Sequence, residues 1–496
     1  MPSYDTRVPA VLMRLDRNPF HHGTLGAVRS LGRAGIEVHA VIEAGRSPVM
    51  RSRYLSRAHL RPCADPDLTE ARHLTASPYL TGAPKVPGAR DLTAPPRPTS
   101  APDSGGVPDL AETARLLIDI AGGLTAPAVL VPMDDLSAIA VARLGDRLAG
   151  HYLLPEQPSG LPERVADKAE LAGICADLGI PHPRTVIPGC ADEAAAAARS
   201  LGLPVVAKWS RPWLLPEGAG LRSTRVVRST QEARELYGRG AEAGSGLLLQ
   251  QFLPHGRDLD WFFHGYSGGP GGTCLVGAAG RKERAWPVGA GLTAVGSWLP
   301  NEEVERTARR IVAALGYRGI LDLDFRRDAA TGAYHLLDFN PRPGAQFRLF
   351  TDRSGIDVVR ALHLDLTGRA VPAQDAAHGR RFVVENYALL SVLSALRSPS
   401  PARDRSADRG RWRPRGAGRR STEAAWFALD DPLPACAMAF AWVAHAVRRG
   451  WRGLRRALPT RRRPGSAGRS RTPPGALRQD SPDGAAPGAA VPRRTG

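Results

Sequence analysis

The chain has 496 residues, with 67 Lys plus Arg against 48 Asp plus Glu and a formal net charge of +19, a length that suits roughly two to four domains with ample core. The excess charge is local: from Arg397 onward there are 22 Arg, no Lys and seven acids, a balance of +15, so the first 396 residues carry 45 bases and 41 acids. With aromatics at 6% and no interleaving of basic and aromatic residues in that nearly neutral body, a specific nucleic-acid surface is not expected there.

Val8 to Met13 reads as a strand, followed by Gly23-Thr24-Leu25-Gly26 and a helix through Gly32 that sets Leu25, Val28 and Leu31 on one face. Gly35 ends that helix and Ile36 to Ile42 is the next strand, a β-α-β opening. His21 and His22 stand at the glycine turn, either touching a carboxylate substrate or exposed on a loop. Residues 76–108, rich in Pro, Gly, Ser and Thr, read as a disordered insertion. A helix at 109–121 and a strand from Ala128 to Pro132 resume the pattern, with Met133-Asp134-Asp135 at the strand's carboxyl end, where parallel sheets hold ligands.

A second unit begins near Pro162 with a helix from Arg164 to Leu178, stopped by Gly179 and Pro181. Val205 to Lys208, Thr224 to Arg228, Leu247 to Phe252, Asp260 to Gly265 and Thr273 to Ala278 read as strands, with helices at 230–238 and 301–315. The mixture predicts an α+β unit following an α/β one. Gly265-Tyr266-Ser267-Gly268-Gly269 fits the G-x-S-x-G pattern of hydrolases, but strands on both sides make it a hairpin turn rather than a strand-to-helix elbow.

The most informative stretch is Leu336-Leu337-Asp338-Phe339-Asn340-Pro341-Arg342, fourteen residues beyond Asp324 in Asp322-Leu323-Asp324-Phe325. Strand alternation sends Asp338 and Asn340 to one face and their apolar neighbours to the other. The link from Asp328 to Ala333 reads as a hairpin turn. Pairing the strands would gather Asp324, Asp338 and Asn340 into a cluster of hard oxygens, with Arg342 beside it. Such a cluster suits magnesium that keeps phosphate and water as its remaining ligands. A plain hairpin with solvated acids is the alternative. Of the 67 basic residues only Lys85, Lys168, Lys208 and Lys282 are lysine. Apart from Lys85, in a Pro-rich loop, they fall in segments that can face a triphosphate.

From Arg397 to Arg420 the chain is Arg-, Pro- and Ser-rich and reads as disordered. Residues 422–458 regain apolar character: Phe440, Val443, Val447, Trp451, Leu454 and Leu458 follow helical spacing, with Arg448, Arg449, Arg452, Arg455 and Arg456 between them. This basic amphipathic helix has two placements open to it, on an anionic membrane surface or docked on the body. The rest of the tail reads as disordered. Five scattered cysteines without a CxxC pair exclude a disulfide framework and a zinc site. An N-terminus lacking an apolar run and the want of any 18-residue apolar stretch predict no leader and no spanning helix, hence a cytoplasmic location.

Over residues 8–370 these elements resemble the ATP-grasp superfamily, in particular carboxylate–amine ligases such as D-aspartate ligase and the corresponding domains of carbamoyl-phosphate synthetase. The resemblance implies a Rossmann-like pre-ATP-grasp domain over 1–160, an ATP-grasp domain over 161–396 with a lid at about 183–255, and a basic tail over 397–496. Asp167-Lys168 and Val205-Val206-Ala207-Lys208 are similar to its two lysine segments, and Gly218-Ala219-Gly220 to its glycine lid over the phosphates. Leu249-Gln250-Gln251-Phe252-Leu253-Pro254 resembles the adenine hinge, which implies Gln251, Phe252 and Leu253 as nucleotide contacts, with Asp258 on the ribose. Arg281 and Lys282 resemble a basic strand-loop that holds the transferring phosphoryl group, and Arg342 the arginine beside the metal. The family often has Glu where this chain has Gln251 and Asp338.

The resemblance therefore implies ATP with magnesium, or manganese in its place, and small-molecule carboxylate and amine substrates. It also allows a homodimer. A carboxylate would be phosphorylated to an acyl phosphate, which an amine then attacks. Two other readings stand beside it. Asp258-Leu259-Asp260 and Asp322-Leu323-Asp324 are DxD patterns of the kind metal-dependent glycosyltransferases use, and a non-catalytic ATP-binding scaffold can share the fold.

Overall fold

The computed structural model describes residues 2–16, 18, 20–43, 47–61, 109–216, 220–256, 258–269, 272–286, 292–397 and 421–444. The expected insertion at 76–108 and most of the tail lie outside these residues.

Strands β1 (Ala10–Met13), β2 (Val38–Glu43), β3 (Arg57–Arg61), β4 (Ala128–Pro132) and β5 (Tyr152–Leu153) form a parallel sheet in the order β3-β2-β1-β4-β5. The continuous apolar runs of β1 and β4 suit burial on both faces, and both strands are covered almost throughout. The order reverses between β1 and β4. That crevice at the strands' carboxyl ends carries Arg14, Leu15 and Asp16 on one side and Asp134 and Asp135 on the other.

A four-stranded antiparallel sheet follows in the order β6-β9-β7-β8, from β6 (Thr185–Val186), β7 (Val205–Trp209), β8 (Thr224–Val227) and β9 (Leu247–Gln251). Val205, Ala207 and Trp209 pack against Ala194, Ala198, Ala233 and Leu236 of the helices Ala191–Leu201 and Thr230–Gly238, which cover one face. Alternation sends Lys208 to the opposite face.

The largest sheet has the order β14-β13-β10-β11-β12-β15-β16. It comprises β10 (Asp260–Gly268), β11 (Thr273–Trp286), β12 (Leu292–Trp298), β13 (Gly319–Arg327), β14 (Tyr334–Asn340), β15 (Arg381–Val383) and β16 (Thr422–Ala424). Trp261, Phe263, Leu321, Leu323, Phe325 and Phe339 meet Val304, Ala308, Ile311 and Val312 of the helix Glu302–Leu315. The other face carries Phe262 and Tyr266 in the core shared with the parallel sheet. Ser267 of the G-x-S-x-G match is buried within β10 and donates to the Gly272 carbonyl, as a hairpin turn requires.

Two expectations need correction. The helix expected from Arg164 to Leu178 is two, Leu161–Ala166 and Lys168–Asp177, because Asp167 takes extended backbone between them. Its carboxylate accepts from the amides of Ala169 and Glu170 and from Arg211 Nε at 2.8 Å, which caps the second helix and ties it to the loop after β7.

The second correction concerns 422–458, expected as one amphipathic helix. Residues 422–424 instead pair with β15 in parallel, and helix begins only at residue 433 and is described to 444. Trp426 is fully buried and its indole donates to Asn386 Oδ1 at 3.3 Å. Arg29 donates to Asp431 Oδ2 at 2.9 Å and to the carbonyls of Ala425, Trp426 and Asp431. Ser52 Oγ and the Arg53 amide complete the shell of Asp431 at 2.7 and 3.0 Å. This stretch therefore belongs to the body; residues 445–458 lie outside the described ones.

His22 is buried among Phe382, Tyr387 and Trp426, an aromatic core position rather than a substrate-facing loop. His21 caps the helix His22–Arg33 through Thr24. Burial pushes His22 down to about 4 from 6.5. Between those values the unfolded chain binds a proton that the native state refuses. Stability therefore falls as pH drops through that window, by up to about 3 kcal/mol. In His22→Phe the loss of urea midpoint between neutral and mildly acidic pH is expected to shrink; an unchanged loss would refute this assignment.

Candidate functional site

The register of β13 against β14 pairs Asp324 with Asp338 and Asp322 with Asn340 across one face of the sheet, with a bulge beyond Asp324. On the neighbouring strand β10, Phe262 stands opposite Asp324 and His264 opposite Asp322. Alternation thus places two carboxylates and an amide side by side, with a third carboxylate, Asp322, behind them.

Both lysines meet at Asp338. Lys168 opens its helix and brings Nζ within 3.0 Å of Asp338 Oδ1. Lys208, buried on the free face of the four-stranded sheet, reaches the same oxygen at 3.2 Å, Oδ2 at 3.3 Å and the Leu337 carbonyl at 3.1 Å. The Lys168 amide donates to the Ser210 carbonyl, so β7 and this helix are fixed to each other. Burial opposes ionisation of Asp338, but the two ammonium groups outweigh it and the carboxyl falls to about 2.

Asp324 behaves oppositely. Desolvation, with Asp322 and Asp338 as like charges, raises it to about 6 against the pull of Lys282. Lys282 Nζ lies 3.8 Å from its Oδ1. Two neighbouring acids whose affinities for protons are driven apart mark a candidate functional site. Arg281, the next residue on β11, is not at the acid pair. Alternation turns it toward Asp258, at 3.1 Å, and Glu283, at 2.8 Å. Asp258 sits on left-handed backbone, φ 65°.

Behind the pair, Arg342 bonds Asp322 Oδ2 at 2.9 Å and approaches Asp135 of the parallel sheet's crevice at 3.3 Å. Asn340 Nδ2 faces the Asp322 carbonyl at 3.3 Å. His264 Nε2 lies 3.0 Å from Asp322 Oδ1, and both are almost fully buried. Burial opposes ionisation of Asp322, yet His264 and Arg342 hold it below the usual carboxylate range. Gly344 makes this packing possible, since a Cβ there would stand 2.2 Å from the His264 ring.

The remaining expected residues lie on other elements. Gln251 closes β9 and its amide donates to the Arg184 carbonyl. Leu253 is buried and its carbonyl accepts from Arg326 at 3.0 Å, while Phe252 is half-buried. Asp260 pairs with Arg326 at 2.7 Å. Gly220 has φ +67° and open space around it; Gly218 lies outside the described residues. Sequence reasoning missed His264, which no local pattern announces, and the link from Asp135 to Arg342, though Asp135 stood out at a strand's carboxyl end.

Among the described residues no group of three or more His, Cys, Asp or Glu side chains is placed to hold a metal. Two carboxylates and one amide would suit an ion that draws its other ligands from phosphate and water, as magnesium does.

No family model matches the chain. In sequence it is 25% identical over 256 residues to the carbamoyl phosphate synthase large chain of Clavibacter michiganensis subsp. michiganensis, covering 49% of this chain and 22% of that one. It is 21% identical over 243 residues to D-aspartate ligase of Enterococcus faecium, 47% of this chain and 57% of that one. It thus spans well under two thirds of either relative. In structure it is similar to the Campylobacter jejuni biotin carboxylase, solved as a β,γ-ATP complex, with TM-score 0.51, 13% identity and coverage of 75% and 74%. The biotin carboxylase domain of Hydrogenobacter thermophilus 2-oxoglutarate carboxylase, a dimer solved with ADP, its magnesium salt and bicarbonate, gives 0.51, 17%, 75% and 73%. In fold the chain is thus similar to these two solved structures, as the resemblance to the ATP-grasp superfamily implies. Within it, the sequence is similar to a carbamoyl phosphate synthase and a D-aspartate ligase.

Proposed function

We propose that this protein is an ATP-dependent carboxylate–amine ligase. The observation that carries the reading is the convergence of Lys168 and Lys208 on Asp338, directly across the sheet from Asp324. Lys168 and Lys208 would turn to the phosphates of a bound nucleotide, while Asp324, Asp338 and Asn340 hold magnesium. When bound, the ion supplies neutralisation of phosphate charge and a fixed orientation of the phosphate chain. Gln251, Phe252 and Leu253 would border adenine, Asp258 the ribose, and Gly218 and Gly220 the loop above the phosphates.

Lys282 and Arg342 would hold the γ-phosphoryl group as a carboxylate oxygen of the substrate attacks its phosphorus. The β–γ bridging bond breaks and ADP leaves, with an acyl phosphate remaining. An amine nitrogen then attacks the acyl carbon, a C–N bond forms, inorganic phosphate departs and the amine loses its proton. The chain's contribution is position and preorganised charge. Arg281, held by Asp258 and Glu283, would act on this site from the ribose side. Manganese would serve in magnesium's place. A homodimer and a cytoplasmic location accompany the reading.

The test is ADP release from Mg-ATP across a panel of carboxylates and amines, with thermal protection by the nucleotide as a second readout. Lys208→Met is expected to lower ADP release by about 100-fold or more and to weaken protection. If no pair releases ADP and the variant is protected like the parent, the proposal fails. Stronger protection by a UDP-sugar would favour sugar transfer instead.

A further inference from the structure

The carboxylates around the candidate site differ in how far their charge is already answered. Asp134 caps the helix Asp135–Arg143 through the Ser137 amide and accepts from the Leu15 amide at 2.7 Å. Asp322 holds His264 and Arg342, Asp338 holds both lysines, and Asp324 has Lys282 near it. Asp135 is different. It opens the helix after β4, and its Oδ1 is buried without a hydrogen bond. Among the described residues its ion pair is with Arg342, whose Nε lies 3.3 Å from that oxygen. Its charge also reaches the lysine side of the site: burial opposes the charge on Lys168, and the carboxylates of Asp338 and Asp135 outweigh it.

The pairing with Arg342 does not survive the reaction proposed above. Nη1 of Arg342 donates to Asp322 and to the Pro343 carbonyl, so a phosphoryl group would be met by Nε and Nη2. Turning that edge to phosphate takes the partner of Asp135 away. A carboxylate with a buried oxygen and no counter-ion is unfavourable. The reactant that arrives at this stage can carry the matching charge, because an aliphatic amine is an ammonium ion at neutral pH. A weakly basic aromatic amine would bring no charge and leave Asp135 unpaired.

We infer that Asp135 seats the ammonium group of the incoming amine, so that the second substrate is a basic aliphatic amine. The inference rests on the ligase reading and adds an order to it: Arg342 frees Asp135 as it takes up the phosphoryl group, and the amine site opens only then.

The test compares two nucleophiles, each with Mg-ATP and a panel of carboxylates. One is an aliphatic amine that supports ADP release. The other is hydroxylamine, which is uncharged above neutral pH and traps an acyl phosphate as a hydroxamate without needing a carboxylate to hold it. In Asp135→Asn the KM for the aliphatic amine is expected to rise by about tenfold or more, with much smaller changes in hydroxamate formation and in the KM for ATP. Asp135→Glu keeps the charge and should recover part of the amine affinity. The capping residue Asp134 is untouched, so a melting curve like the parent's shows that the helix is in place. Equal losses with both nucleophiles would mean that Asp135 only aims Arg342, and would overturn the inference. So would a folded Asp135→Asn protein that keeps the parent's KM for the amine. A parent that forms hydroxamate from none of the carboxylates would instead sink the ligase reading, and this inference with it.

Discussion

Asp338→Asn is expected to reduce ADP release by about 100-fold or more, the loss associated with removing one preorganised electrostatic group. The substitution keeps the shape of the side chain and removes the charge that Lys168 and Lys208 share. The carboxylate occupies both ammonium groups, so the phosphates of the proposed nucleotide would have to displace it. A magnesium ion that takes Asp338 frees the lysines, so metal and nucleotide should bind with positive coupling. In the variant that coupling should vanish: titrating magnesium at fixed ATP would no longer sharpen the nucleotide's thermal protection. Asp338→Asn protein that still shows magnesium-dependent protection equal to the parent would rule out Asp338 as the shared group. Apart from ligand, the variant leaves two ammonium groups close together without their counter-ion, so its own melting point should also fall.

Asp431→Ala is expected to have the largest effect on stability. Asp431 is 2% exposed and takes donors from Arg29, Ser52 and the Arg53 amide. Removing it leaves a buried guanidinium without its carboxylate, a loss of about 3–5 kcal/mol. Arg29 also holds three carbonyls of the 425–431 stretch, so the variant should loosen this segment before the rest. Limited proteolysis should then cut within 421–444 in the variant and spare it in the parent, with a lower urea midpoint. A variant equal to the parent in both measurements would show that the segment is held by Trp426 and β16 alone.

The hairpin and its acids were legible because two signals coincide there. Alternation of Asp338 and Asn340 with Leu337 and Phe339 names the face, and a Gly-containing turn of matching length brings Asp324 opposite. Lysine scarcity singled out Lys168 and Lys208, yet nothing in the sequence says that both end on one oxygen, since that contact joins residues 130 or more apart. The break at Asp167 has a local signal: Asp167-Lys168-Ala169-Glu170 has the spacing of a capping box. By contrast β16 has none. It is three residues long, its partner β15 lies about forty residues earlier, and Trp426 beside it reads equally well in helical phase. The partition of Arg281 and Lys282 onto different partners follows from strand alternation once β11 is known to run on to Trp286.

The pairing of β16 with β15 bears on how the protein tolerates shortening. It would be natural to trim the basic end just after the helix Glu385–Arg397. That cut would strip a strand from the sheet's margin, baring the amide and carbonyl row of Arg381–Val383. It would also leave a hole the size of an indole where Trp426 had filled the core. An open margin beside an apolar hollow invites edge-to-edge aggregation, so a shortened form that stays monodisperse needs to retain the chain through Met438 at least.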